Sequence, residues 1–434
     1  MTLGEVRLWG AVIGNVAWDE SRDIAVFEYT PEYLATGVEL APLKMPLQEG
    51  AWDFPAFNRE TFRGLPGMLA DSLPDKFGNA LIDQWLAETK RAPELFNAVE
   101  RLLYIGTRGM GALEFQPAIG KTNTENISLD IQELVRLSGE VLTLREAQNG
   151  SLSPQATDEN IEGIESILAV GTSAGGARAK AIIAWNEETE EVRSGQIPAG
   201  AGFTFWLLKF DGVSNNKDKE LADPKGYGCI EYAYYLMAKA AGIAMMECRL
   251  MSENGRAHFM TKRFDRTADG QKLHMQSLCA LGHYDFNMPG GTSYEQAFLV
   301  CEQLGLGMSA KEQLFLRMVF NVLAYNRDDH TKQISFLMDK SGAWHLSPAY
   351  DMTYSYNPTG EFTSRHQMTV NRKRENIGYD DFMAVAKRQG IKGSSAKRMV
   401  ESVEESVAHW VGFAEEATVS DQKTSSISRL IVAS

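Results

Sequence analysis

The residues with the clearest chemical potential form one polar run, Asn326-Arg-Asp-Asp-His-Thr-Lys-Gln333. An apolar-striped stretch precedes it and a β-rich one follows, so the run must turn the chain where a helix ends. Residues 334–338, a turn at Asp339-Lys-Ser-Gly342 and a return at 343–346 spell a hairpin, which ends at Ser347-Pro-Ala-Tyr-Asp351. A hairpin brings its ends together, so Asp328 and Asp351 are expected near one another across 23 positions of sequence. Two carboxylates at a hairpin mouth suit a general base and a Mg²⁺ ligand. Taken singly, either aspartate would serve as well to cap a turn in a solvated loop.

Two further groups could meet phosphate. Ser173-Ala-Gly-Gly-Ala-Arg-Ala-Lys180 stands between two β-rich pieces, and its glycines would let backbone N–H groups approach phosphate oxygens. Ala174, Gly175, Gly176, Ala177, Arg178 and Lys180 are the candidate nucleotide contacts of this turn. It is neither a Walker A sequence nor G-x-G-x-x-G, and alone it reads as well as a plain hairpin turn. Lys209, in Phe205-Trp-Leu-Leu-Lys-Phe-Asp211, has large apolar neighbours, so burial there would demand a charged partner. Glu231, in the first turn of the next helix, is the nearest candidate in chain order. A strand Lys paired with a helix Glu grips the α- and β-phosphates in kinases. A surface Lys on an edge strand, and a Glu favoured by a helix N-terminus, are the alternative. Gly-rich turn, strand Lys, helix Glu, connecting strand, then Asp–hairpin–Asp is the order of parts in a protein-kinase-like phosphotransferase.

The elements that must hold these residues are legible in outline. The first 120 residues are mostly short strands (6–8, 12–13, 24–29), interrupted by helical stretches at 76–89 and 94–103. Polar stretches at 120–128 and 148–160 flank a helical pattern at 129–145. Strands follow at 167–170, 181–185, 204–210 and 258–264, with a helix at 230–241 stopped by Gly242. The helix before the polar run shows a capping box, Ser309 and Glu312, and a stripe of Leu314, Phe315, Met318, Val319, Val322 and Leu323. The expected fold is α+β. A small β-rich N-terminal domain (1–125) and a linker with a helix (126–160) precede a two-lobed protein-kinase-like domain. Its N-lobe-like part covers 161–265 and its mostly helical C-lobe 266–434. The 434 residues are 44% hydrophobic with four cysteines and no C-x-x-C pair, which fits globular domains in a reducing cytoplasm, not a disulfide scaffold or zinc ribbon. No apolar run approaches the ~18 residues of a membrane span. A net charge of −14 disfavours wholesale nucleic-acid binding, yet residues 365–398 hold nine Lys/Arg against three acids, a local +6. Such a run is usually a solvated helical face.

The chain resembles the HipA family, the serine/threonine-kinase toxins of bacterial toxin–antitoxin modules. In the first part the resemblance rests on Leu69-Ala-Asp-Ser-Leu-Pro-Asp-Lys76 and Tyr104-Ile-Gly-Thr-Arg-Gly-Met-Gly111. In the second it rests on Gly175-Gly-Ala-Arg-Ala-Lys180, Leu208-Lys-Phe-Asp211, Lys262-Arg-Phe-Asp-Arg266, Asn326-Arg-Asp-Asp-His330 and Ser347-Pro-Ala-Tyr-Asp351. It implies ATP and Mg²⁺ as cofactors, with Asp328 as the base, Asp351 as metal ligand and Lys209 on phosphate. It also implies that Lys262, Arg263 and Phe264 form an adenine-holding hinge, that His330 and Tyr350 line the nucleotide site, and that Ser173 is autophosphorylated. The family pattern has Asn as second metal ligand five residues after the base, where this chain has Gln333. The implied partners are a HipB-type helix-turn-helix antitoxin, operator DNA reached mainly through it, and a protein substrate, glutamyl-tRNA synthetase first. Lys387, Arg388, Lys392, Lys397 and Arg398 are then candidate DNA-phosphate contacts. A small-molecule or lipid kinase, and a non-catalytic co-repressor scaffold, remain the rival readings.

Overall fold

A computed structural model describes residues 2–88, 90–119, 128–149, 178–213, 217–218, 221–222, 225–267 and 269–431. The sequence expectations for the strand at 167–170 and for Ser173, Ala174, Gly175, Gly176 and Ala177 lie outside the described residues. The chain divides into two compact units. The first comprises 1–40, 45–225 and 251–275, and the second 41–44, 226–250 and 276–434.

The first unit contains two antiparallel sheets. Strands β1 (Leu3–Leu8), β2 (Ala11–Asp19), β3 (Ile24–Tyr29), β4 (Ala51–Trp52) and β5 (Leu113–Gln116) pair in the order β4-β3-β2-β1-β5. Alternation buries Val6 and Leu8 of β1 and Val16 and Trp18 of β2, and Ile13 is buried where the β1–β2 register shifts. Gly14 is obligatory, because a Cβ there would lie 2.4 Å from the Glu28 carbonyl oxygen and 2.5 Å from the Phe27 ring. The second sheet is built from β6 (Lys180–Trp185), β7 (Val192–Ser194) and β8 (Thr204–Lys209). A ribbon, β9 (Lys217–Asp218) and β10 (Leu221–Ala222), comes next in sequence. Strands β11 (Cys248–Glu253) and β12 (Arg256–Lys262) complete the order β11-β12-β8-β6-β7. Ala181, Ile183, Trp206, Leu208 and Met260 of this sheet share one core with the helices Lys76–Glu88 and Ile131–Asn149, through Phe77, Leu81, Leu134 and Leu137. The helix expected in a linker is therefore part of a core.

The second unit is mostly helical. The helix Tyr227–Ala240 ends as expected, with Gly242 at φ +86° and the Ile243 N–H returning to the Ala238 carbonyl at 3.0 Å. The helix Met308–Leu323 buries Leu314, Phe315, Met318 and Val319 of the expected stripe, while Val322 and Leu323 at its end are half-buried. Its start differs from expectation. Gly307 is the N-cap and no side chain caps the first turn, so Ser309 lies inside the helix and the Ser309–Glu312 box does not form. Helices Tyr379–Arg388, Gly393–Ala408, Trp410–Glu416 and Asp421–Ile431 finish the chain. Buried Ser406 donates to the Met237 carbonyl at 2.6 Å, which ties this end to the helix Tyr227–Ala240.

Candidate functional site

The hairpin forms as the sequence predicts, from β14 (Ser335–Met338) and β15 (Trp344–Leu346), with Phe336 opposite Leu346. In chain order β13 (His274–Ser277) precedes them. The Ser347 N–H donates to the Ser335 carbonyl at 2.9 Å, extending the pairing towards the mouth. There the Tyr350 hydroxyl donates to the Lys332 carbonyl and lies 2.6 Å from Ser335 Oγ. The Asn326 side-chain amide reaches the Asp351 carbonyl at 3.5 Å. The two ends of the motif are thus stitched together. Asp351 itself has φ +52°, a left-handed turn that Asp tolerates better than most residues.

Asp328 and Asp329 have opposite environments. Asp329 is buried and its oxygens are occupied: Oδ1 accepts the Gln367 N–H at 2.8 Å, and Oδ2 accepts the Tyr294 hydroxyl at 3.1 Å and lies 3.0 Å from His366 Nδ1. Asn321 donates to the Tyr294 oxygen at 2.9 Å, and the Asn326 side-chain amide donates to Asn321 Oδ1 at 2.9 Å. Burial drives the Tyr294 phenol far above its ordinary pKa, and the Asp329 charge adds to that, so it stays a donor. Asp328 is partly open. Its Oδ1 accepts the Gln367 side-chain amide at 2.5 Å, and its Oδ2 lies 3.8 Å from His330 Nε2. His330 is fixed by its other nitrogen, which accepts the Lys332 N–H at 3.2 Å as it caps the short turn Thr331–Gln333. The Phe286 ring stands 5.4 Å from the His330 ring.

A small cavity lies behind this loop, lined by Tyr294, Arg317, Asp329, His330, Gln333 and Tyr350 among others. Arg317 is fully buried and donates to the Ser347 carbonyl at 2.5 Å. Burial lowers its pKa to about 10, still charged at neutral pH. Asp351, Asp328 and the Gln333 amide offer hard oxygen donors, whereas no group of three His, Cys, Asp or Glu side chains gathers among the described residues. That donor set fits Mg²⁺ carried by a nucleotide, which takes one or two carboxylates plus phosphate oxygens.

Candidates in the first unit have partners of their own. Lys180 and Lys209 are directly opposed on β6 and β8. The Lys180 ammonium is buried against Asp75 at 2.9 Å, so its charge is already matched. Lys209 is half-buried with its ammonium 5.7 Å from the Phe259 ring centroid. Lys262 stands 5.9 Å from the Trp206 ring. Arg263 clamps buried Asp265 in a fork at 2.8 and 2.7 Å, and its N–H is spent on the Phe205 carbonyl. Of that residue only the carbonyl remains to meet a base. Phe264 is half-buried and Arg178 buried. Asp265 also accepts from Arg266 and from the Gly111 N–H at 2.7 Å. Burial would raise its pKa, but the two guanidiniums outweigh that and hold it below the usual carboxylate range. Glu231 is buried in the second unit.

The basic run is partly neutralised. Arg388 meets Glu295 at 3.1 Å, Lys373 meets Asp381 at 2.9 Å and Lys397 meets Glu401 at 3.6 Å. Lys387, Lys392 and Arg398 are exposed on the helices Tyr379–Arg388 and Gly393–Ala408 or the turn joining them.

Sequence reasoning did not single out Asp329, Tyr294, Arg317, Asn321, His366 or Gln367. One signal was available: Arg317 and Asn321 stand four residues apart on the apolar face of the helix Met308–Leu323, where polar side chains need partners.

These elements define an N-terminal β domain followed by a kinase-like α+β region. Residues 4–116 match the HipA N-terminal domain and residues 172–411 the HipA-like C-terminal domain. The chain belongs to the HipA family. Its fold is that of a Shewanella oneidensis MR-1 structure, a toxin–antitoxin complex of HipA, HipB and operator DNA. The match has TM-score 0.66 and 17% identity and covers 99% of this chain and 95% of that one. Y4mE of Sinorhizobium fredii (strain NBRC 101917 / NGR234), a protein named as a kinase candidate, is 25% identical over 188 residues. That alignment takes in 40% of this chain and 44% of the relative's length.

Proposed function

We propose that this chain is an ATP-dependent protein serine/threonine kinase and the toxin of a HipA/HipB-type toxin–antitoxin pair. The observation that carries the reading is the closure of the Asn326 turn onto the Asp351 segment, with a partly open carboxylate, Asp328, beside it. Asp328 accepts the proton of the acceptor Ser or Thr hydroxyl. Bound Mg²⁺ supplies neutralisation of phosphate charge and is held by Asp351 with Gln333. Lys209 grips the α- and β-phosphates, with Glu231 in the role that the helix Glu has in the kinase pattern. Lys262, Phe264 and the Arg263 carbonyl hold adenine, and His330 and Tyr350 line the nucleotide site. Phosphate on Ser173 adds about −1.5 to −2 charges beside the γ-phosphate and turns the enzyme off. The Shewanella complex supports a HipB-type antitoxin on operator DNA as partner, and the family suggests an aminoacyl-tRNA synthetase, glutamyl-tRNA synthetase first, as substrate. Among the described residues no helix is long and apolar enough to cross a membrane.

Incubation with Mg·ATP followed by mass spectrometry tests this reading. Phosphate on Ser173, lost in Asp328→Gln, supports it, whereas ATP consumption without phosphoprotein points to a small-molecule acceptor. Gln333 favours a second reading, a non-catalytic co-repressor scaffold. Its extra methylene displaces the amide by about 1.5 Å, and Mg²⁺ demands oxygens near ~2.1 Å in octahedral array. Neither phosphoprotein nor ATP consumption would favour the scaffold.

A further inference from the structure

Arg327, next to Asp328 in the chain, is a half-buried cation in a built frame. Its guanidinium packs against two tyrosine rings, 4.7 Å from the Tyr325 centroid and 4.4 Å from that of Tyr356. Its Nη1 donates to the Ser364 carbonyl, and its backbone N–H donates to the Ser355 carbonyl at 3.0 Å. The Ser355 N–H returns to the Tyr325 carbonyl at 3.1 Å, so the chain around the cation is tied down. Among the described residues no carboxylate meets this guanidinium, and its Nε is buried without a hydrogen-bond partner. Aromatic faces and a carbonyl fix the fork in place but do not neutralise its charge.

The segment that meets Arg327 carries further cations. Ser364 is followed by Arg365, and then by His366 and Gln367, which reach Asp329 and Asp328. The chain from 364 to 367 therefore runs along the turn that holds Asp328. Arg365 is exposed and lies 3.7 Å from Glu375, with both side chains more than half exposed. An ion pair of that kind contributes little and yields readily to another carboxylate. Arg374 returns to the same segment, donating from Nε to the His366 carbonyl at 2.6 Å. Burial lowers the Arg374 pKa and the charge of Arg365 lowers it further, so the two cations stand within electrostatic reach of each other.

We propose that Arg327, with Arg365 and Arg374 beside it, forms an acceptor subsite for an acidic peptide, whose carboxylate or phosphate lies within a few residues of the Ser or Thr to be phosphorylated. The proposal rests on the phosphotransferase reading of Asp328 and adds a substrate class to it. An acceptor hydroxyl brought to Asp328 carries its flanking residues past the 364–367 segment, because that segment is fastened to the same turn. The planar fork of arginine matches carboxylate and phosphate oxygens two at a time. A fork already held by Tyr325, Tyr356 and Ser364 has little freedom left to lose on binding.

The experiment gives the full chain Mg·ATP and a Ser/Thr peptide library whose flanking positions are fixed in turn as Glu, Gln or phosphoserine. Wild type is expected to favour Glu or phosphoserine over Gln at one flanking position by about 10- to 100-fold in kcat/KM, mainly through KM. Arg327→Met should bring that ratio to within about twofold of one, and Arg365→Gln should lower it. Each ratio is read within one variant, so a general loss of activity or folding cancels. Where Arg327→Met is inactive, Arg365→Gln on the exposed face carries the test. A wild-type ratio near one, or an unchanged ratio in the variants, overturns the proposal. If wild type phosphorylates no peptide, the phosphotransferase reading fails by itself, and fluorescence anisotropy of labelled Glu-rich and Gln-rich peptides decides the subsite. Binding of the Glu-rich peptide alone, lost in Arg327→Met, supports it. Equal binding of the two peptides, or tighter binding of a single-stranded oligonucleotide through the same arginines, overturns it.

Discussion

Two lysines face each other on β6 and β8, and the partner of one decides what the other can do. Directly opposed like charges destabilise a strand pair, and Asp75 relieves this by meeting Lys180 at 2.9 Å, both side chains about 5% exposed or less. Asp75→Asn would leave a buried ammonium without its counter-charge, opposite Lys209. Breaking a buried pair by removing one partner costs about 3–5 kcal/mol. For a unit of a few hundred residues each kcal/mol lowers Tm by about 2–4 °C, so a fall of roughly 6–20 °C is expected in calorimetry of the full chain. The double change Asp75→Leu with Lys180→Met removes both charges at similar volume and should recover most of that loss. Nucleotide affinity, followed by titration with Mg·ATP, should change little in the double variant on the proposed assignment of the phosphates to Lys209. The reasoning is refuted if Asp75→Asn melts within about 2 °C of wild type while the double variant loses ATP affinity more than about tenfold. Lys180 would then be a phosphate ligand and its contact with Asp75 incidental.

Acid should destabilise the fold in two stages. His274 and His283 are pushed down to about 3 by burial, with Lys44 adding to the effect at His283. The folded rings stay neutral while the unfolded ones gain protons below about 6.5, so stability present above that pH falls as the pH drops towards 3. Asp265, held low by Arg263 and Arg266, contributes stability present above the unfolded value of 3.8 and lost below it. Asp265→Asn should therefore be less stable than wild type at pH 7, and the gap should narrow below about pH 4 in urea titrations. A gap constant down to pH 2 would reject this. In a third test, reversing Lys397 and Arg398 to Glu should weaken operator binding by the toxin–antitoxin complex and flatten its salt dependence. An unchanged slope in fluorescence anisotropy would remove the basic run from the interface.

The hairpin was legible because its signals are local: β-rich pieces on either side of Asp339-Lys-Ser-Gly342, whose turn closes with the Gly342 N–H on the Asp339 carbonyl at 3.0 Å. The polar run before it was legible because it breaks an apolar stripe. Helix starts were less so. The stretch expected at 94–103 becomes a short turn, Pro93–Leu95, and a helix, Ala98–Ile105, because Asn97 and Glu100 form the capping box that sets the first turn. The reverse happens at Ser309, where the right residue types stand two positions beyond the N-cap, inside the helix. Charge runs mislead for a related reason. The local +6 already sets Asp381, the partner of Lys373, against one cation, but it counts Arg388 as free, and the fold pairs Arg388 with Glu295, 93 positions away.

The deepest gap between sequence and site is the pair Asp328-Asp329. Side by side and chemically identical, they are told apart only by what surrounds them. Asp329 points into a buried array where Tyr294, His366 and the Gln367 backbone meet both its oxygens. Asp328 keeps 14% of its side chain exposed, and its Oδ2 lies 3.8 Å from His330 Nε2. One carboxylate is therefore a fastening, and the other is the one to which the proposed function gives the chemistry. The donors that make the difference lie at 294, 366 and 367, on segments with no local signal, and only the folded chain brings them to the turn. This division predicts what the neighbours should do when exchanged. Loss of Asp329 should loosen Gln367 and so disturb Asp328 indirectly, lowering turnover and stability together. Loss of Asp328 should abolish transfer by ~10²–10⁴-fold while leaving the fold intact.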